Sequence, residues 1–190
     1  NLKIEYGGKI DVSGKGYSGG AAGVSGYGPG AGAAVGSGGG YGGAGGWTTP
    51  SLGGDSYGSK FLPVDLGSGG GGGSGGGGAG GGYVKIAVSG NFELVGGEVL
   101  SNGISSTGGG GAGGTIIIDV NNFACNGAGY LHADGGDSQN VVAAKGGGGR
   151  ITYRADSYTA CAGMTAAGAN TGTIVNVPNT PISLTMLERD

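Results

Sequence analysis

Charge is scarce in this chain. Only 11% of its 190 residues are Asp, Glu, Lys or Arg, and the formal net charge is −3. No basic face is available, which excludes ordinary nucleic-acid binding by phosphate neutralisation. Histidine occurs once, as His132, so neither a Ser/His/Asp constellation with a choice of bases nor a histidine-rich metal site can be assembled. Aromatic residues make up 7% and hydrophobic residues 36%. The apolar stretches, such as Ile116–Ile118, are far too short to span a bilayer as a helix. Low hydrophobicity with high charge is the signature of disorder; here both are low, and the apolar residues gather in short alternating stretches.

What the chain has in excess is glycine, 56 residues of it. The glycines concentrate in runs, clearest at 67–82, 108–114 and 146–149. An alternating stretch follows each run: Tyr83-Val-Lys-Ile-Ala-Val88, Thr115-Ile-Ile-Ile-Asp-Val120 and Arg150-Ile-Thr-Tyr-Arg-Ala155. A fourth, weaker stretch begins at Thr173. Alternation of this kind marks a half-buried strand. A second strand follows a polar turn, with Asn91-Phe-Glu-Leu94 aligning to Asn122-Phe-Ala-Cys125 and loosely to Ser157-Tyr158 and Cys161. A third strand follows a glycine corner, at Glu98-Val-Leu100, Tyr130-Leu-His-Ala133 and Met164-Thr-Ala166. Asn1-Leu-Lys-Ile also aligns to Asn91-Phe-Glu-Leu94, so the chain reads as entering partway through a repeat.

Repeats of strand, turn, strand, corner, strand and glycine excursion predict an all-β fold, a parallel β-solenoid in a single domain. In that frame residues 1–14 form a partial first layer and 15–82 a long glycine-rich excursion. Stacked layers follow at 83–114, 115–149 and 150–172, with C-terminal strands over 173–190. A β-sandwich is the competing architecture. The excursions can be floppy loops, because ordering glycine is entropically expensive. They can also be ordered glycine strands packed backbone to backbone in a polyglycine-II-like manner. The spacing of Tyr41, Ala44 and Trp47 by three matches that helix.

Two cysteines, Cys125 and Cys161, sit in matching contexts, Ala-Cys-Asn-Gly and Ala-Cys-Ala-Gly. On neighbouring layers they fall within disulfide reach, which would favour an oxidising compartment. Two small buried hydrophobes are the other reading. Asp134 and Asp137 lack the Gly/Asp nonapeptide pattern of a calcium-binding roll. Lys145, followed by four glycines and Arg150, lacks the Gly-Lys-Ser/Thr ending of a phosphate loop. No cofactor or metal is expected, and no enzymatic mechanism can be built from the scattered Asp119, Asp156, Lys85, Arg150 and Arg154.

The segments YGPGAG (from Tyr27), GGGYGGAGGW, SYGS with LPVDLGSGGGG, LHADGG with GGGGRITY, and TAAGANTGTIV together resemble a family of glycine-rich repeats found in large secreted or cell-surface proteins. That resemblance implies an extracellular setting and a repeat scaffold. The family carries no activity to transfer.

The functional expectation is a structural subunit of an extracellular filament or surface assembly. It would pair head-to-tail with itself through incomplete terminal layers, with Leu2, Ile4, Ile174, Val177, Ile182 and Leu184 as candidate assembly residues. The alternative is an adhesin or a module binding cell-surface glycans, with Tyr27, Tyr41, Trp47 and Tyr57 on the excursion as surface-binding aromatics. Neither reading involves nucleic acid or a membrane span.

Overall fold

A computed structural model describes residues 1–47, 52–139, 144–159 and 161–178. The alternating stretches become strands with side chains on both faces of parallel ladders. They are β1 (Leu2–Glu5), β2 (Lys9–Asp11), β3 (Tyr83–Val95), β4 (Glu98–Leu100), β5 (Thr115–Asn126), β6 (Tyr130–His132), β7 (Arg150–Arg154), β8 (Ser157–Thr159), β9 (Gly163–Thr165) and β10 (Thr173–Asn176).

These strands form two parallel sheets, which corrects the β-solenoid expected from the repeats. One sheet has six strands in the order β1-β3-β5-β7-β10, with β8 pairing β5; the other has four, in the order β2-β4-β6-β9. The physical reason lies at the polar turns. Between the expected first and second strands, at Ser89-Gly90 and Asn121, the chain does not turn but runs straight on. β3 is one strand of 13 residues and β5 one of 12, with only a register shift between Val88 and Asn91. A bulge bends a strand without ending it. The first two expected strands therefore merge into one wide sheet, and the glycine excursions contribute no strand. No α-helix occurs among the described residues.

The register follows the side-chain pattern. Val84 faces Ile116, which faces Ile151, which faces Ile174. Leu2 faces Phe92, which faces Phe123, which faces Tyr158. Because a one-residue slip would turn each apolar side chain outward, a buried face fixes this register. The core lies between the two sheets: Ile86, Phe92, Leu94, Ile116, Ile118 and Phe123 from the larger meet Val99 and Leu131 from the smaller. Phe92 and Phe123 stack with centroids 5.4 Å apart and planes 7° from parallel.

Beside the sheets the glycine runs form an ordered slab held by main-chain hydrogen bonds. Residues 109–114 show how. Gly109 and Ala112 donate to Gly71 and Ser68; Gly110 and Gly113 donate to Ala144 and Gly147; Gly111 and Gly114 donate to Ile104 and Ser101. Every third residue thus meets the same neighbour, the period of an extended threefold helix. Main-chain groups removed from water must be paired, and here they pair with one another. Contact this close requires glycine: a Cβ on Gly110 would collide with the carbonyl oxygen of Gly136.

Candidate functional site

The two sheets close on each other through side chains but stay open at their edges, and the edges are stepped. On one edge β1 covers only the second half of β3, at Phe92, Glu93, Leu94 and Val95. The first half, Tyr83 to Val88, has no strand on that side among the described residues. On the opposite edge the step is reversed. β10 extends over β7, the continuation of the first half, while β8, the continuation of the second half, has no strand beyond it among the described residues. In the smaller sheet β2 and β9 are the open edges among the described residues. The ladders are equal in depth: β3, β5, β7 and β10 in the first; β1, β3, β5 and β8 in the second; β2, β4, β6 and β9 in the third. Each therefore holds four strands among the described residues.

Apolar side chains line both edges. Ile174 is 44% exposed and Tyr158 48%, although both continue core rows. Leu2, Ile10 and Val84 at the first edge and Met164 at the other are only partly buried against the core. Ile4 is buried, and the Val177 N–H donates to Tyr153 O at 2.9 Å. Ile182 and Leu184 lie outside the described residues. Charges on the first edge cancel within strands: Lys3 Nζ is 2.7 Å from Glu5 Oε1, and Lys9 Nζ is 3.7 Å from Asp11 Oδ2. A row of amides crosses the bulge. Asn1 Oδ1 accepts from the Asn91 N–H (2.9 Å), Asn122 Nδ2 donates to Asn91 Oδ1 (2.8 Å), and Ser157 Oγ donates to Asn122 Oδ1 (2.6 Å).

The cysteines form a disulfide, Cys125–Cys161, that ties adjacent rows of the core.

The four excursion aromatics separate. Tyr27 and Trp47 are each 58% exposed, and Tyr57 is half-buried. Tyr41 is corrected as a surface-binding residue: it is fully buried. Its hydroxyl lies 2.6 Å from Thr115 Oγ1, which itself donates to Asp65 O at 2.8 Å. The Tyr57 hydroxyl donates to Leu66 O and lies 2.8 Å from Ser68 Oγ. Burial pushes both phenols above their ordinary pKa; at Tyr41 the hydrogen bond with Thr115 and the nearby Arg150 charge oppose the rise. Burial raises Tyr153 as well, with Tyr158 beside it adding to the effect.

Arg150 is the residue that sequence reasoning missed. It is 6% exposed, donates from Nη2 to Tyr57 O (2.6 Å) and Gly58 O (3.2 Å), and from Nη1 to Thr173 Oγ1 (3.1 Å). Together with Thr152 Oγ1, which donates to Lys60 O at 3.2 Å, it fastens residues 57–66 across the outer face of the larger sheet. An arginine in an alternating strand normally points to solvent, and no local signal marks this one. Next to that segment lies a groove of about 210 Å³ lined by Phe61, Leu62, Tyr83, Lys85, Asp119 and Arg154.

Among the described residues no three His, Cys, Asp or Glu side chains group as metal ligands, and no helix is long and apolar enough to cross a membrane. Comparison with protein-family models, with curated proteins and with solved structures finds no match for this chain.

Proposed function

We propose that this protein is a structural subunit of an extracellular filament or surface assembly and that its copies add head-to-tail. The supporting observation is the pair of stepped edges. Among the described residues, where one edge lacks a strand the other carries an extra one, and every ladder holds four. A copy set on the β8, β9 and β10 edge of another fills each vacancy with a parallel strand. Unpaired edge N–H and C=O groups are a template for such pairing. The two contacting surfaces differ, so the contact does not close into a ring by two-fold symmetry and propagates as a fibre. The disulfide suits an oxidising compartment outside the cell. Electron microscopy and sedimentation of the purified chain test the reading. Unbranched filaments that lengthen with concentration are expected; a chain that stays monomeric at high concentration contradicts it.

The groove beside Phe61 and the exposed Tyr27 and Trp47 favour a second reading, an adhesin that stacks sugar rings on the excursion. Saturable binding on a glycan array by a monomeric chain, lost in Trp47→Ala, would support that reading over the first.

A further inference from the structure

We infer that copies join in one register only, the one that carries the core and the amide row unbroken from each copy into the next. This rests on the head-to-tail reading above and specifies its interface.

The register follows from the pairing inside one chain. Tyr83, Thr115, Arg150 and Thr173 occupy one position in successive strands. Continuing that ladder sets Thr173, Ile174, Val175 and Asn176 of one copy against Tyr83, Val84, Lys85 and Ile86 of the next. In the second ladder Leu2, Phe92, Phe123 and Tyr158 share a position. Ser157, Tyr158 and Thr159 then meet Asn1, Leu2 and Lys3. In the third, Ile10, Val99, Leu131 and Met164 share a position, so Met164 meets Ile10.

Three features agree on this register. First, it gives each of the three ladders an apolar pair, Ile174 with Val84, Tyr158 with Leu2 and Met164 with Ile10, while Asn176 meets Ile86. Ile174 and Tyr158 are the half-exposed ends of core rows, and this contact covers them. Second, it continues the amide row. Ser157 Oγ already donates to Asn122 Oδ1, and Asn1 Oδ1 already accepts from the Asn91 N–H. Ser157 Oγ is left as an acceptor and Asn1 Nδ2 as a donor, and the register brings them together. Third, alternatives lose contacts. A slip of one residue sets Ile174 against the outward-facing Tyr83 or Lys85 and turns the faces over. A slip of two keeps the faces but takes Ser157 off Asn1 and leaves Val84 or Ile86 bare.

Paired cysteines test it. Residues opposite each other in adjacent parallel strands are about 4.8 Å apart, inside the disulfide range. Asn1 and Ser157 of a single copy are three strand spacings apart, about 14 Å, too far to bridge. The double variant Asn1→Cys with Ser157→Cys is expected to give, on mild oxidation of filaments, a ladder of covalent multimers in denaturing gels without reductant. The control Lys3→Cys with Ser157→Cys, displaced by two residues and about 8 Å, is expected to give none. Filaments in which the control pair cross-links and the Asn1/Ser157 pair does not would overturn the register while leaving head-to-tail assembly intact. Absence of filaments from the unsubstituted chain would remove the assembly reading, and the register with it.

Discussion

The guanidinium of Arg150 lies over the ring of Tyr41, its Cζ 5.2 Å from the centroid. This contact joins the two halves of the molecule, a strand of the larger sheet and the glycine slab, at a point closed to water. A buried cation is tolerated only when it is paired or hydrogen-bonded, and three acceptors surround this one. Arg150→Lys keeps the charge but loses the planar stack and the fork of donors. It is expected to lower stability by about 1–3 kcal/mol in chemical denaturation. An unchanged midpoint would show that the slab is held elsewhere.

Alkaline pH addresses the same region. Tyr41 and Tyr57 have folded-state pKa values raised by burial. Their contribution to stability is therefore complete below the unfolded phenol value of about 10 and is lost as pH rises from there toward the folded values. Stability is expected to fall above that pH, and the fall to flatten in Tyr57→Phe. Absorbance titration is expected to show buried phenols ionising only together with unfolding.

Glycine substitutions separate close packing from loop filler. Gly110→Ala drives a Cβ into the Gly136 carbonyl, whereas at Gly76 the nearest atom to an added Cβ is Gly20 O at 3.7 Å. Gly110→Ala is expected to destabilise by at least about 2 kcal/mol, in the range of core overpacking. Gly76→Ala is expected to be neutral or to stabilise by up to about 1 kcal/mol through the unfolded chain. Equal effects at the two positions would contradict an ordered slab.

The disulfide closes a loop with a sequence separation of 36 residues. Its removal in Cys125→Ala with Cys161→Ala is expected to cost about 2–4 kcal/mol. A thiol count on the denatured, unreduced chain is expected to find none free.

Much of the sheet structure could be read from side-chain alternation. Val84, Ile116, Ile151 and Ile174 fell into register because each lies at the same step of an apolar period, and the matching contexts of Cys125 and Cys161 pointed to neighbouring rows. The architecture was misread where the chain looked as though it should turn. Ser89-Gly90 and Asn121 carry turn-forming residues, yet ladder bonds on both sides carried the strands through as a bulge. The slab was the least legible part. Glycine has no side chain with which to specify a partner, so nothing local says that Gly109 will meet Gly71 and Gly110 Ala144. For the same reason Tyr41 and Trp47, alike in sequence setting, could not be sorted into buried and exposed: Tyr41 is held by Thr115 and Arg150, far along the chain, whereas Trp47 is left exposed. At the proposed interface, Ile174 and Leu2 could be proposed from strand pattern alone. Their complementarity emerged only once the depth of each ladder was known.

Ile174→Asp isolates assembly from folding. The side chain is half-exposed at the last strand of its ladder, so a carboxylate there meets solvent in the single copy and an apolar row in the joined one. Filament formation is expected to shift to at least about tenfold higher concentration, the equivalent of roughly 1.4 kcal/mol per contact, with the unfolding midpoint little changed. Normal assembly of this variant would place the contact elsewhere.

The most direct measurement is the axial rise per subunit in filaments, by electron cryomicroscopy with helical reconstruction. Four parallel strands per ladder at the usual spacing predict a rise of about 19 Å, with an uninterrupted inter-strand repeat of about 4.8 Å along the axis. Filaments with that rise and no break in the strand ladder between subunits would bear out edge-to-edge addition. A rise unrelated to four strand spacings, or a gap in the ladder at each subunit boundary, would contradict it.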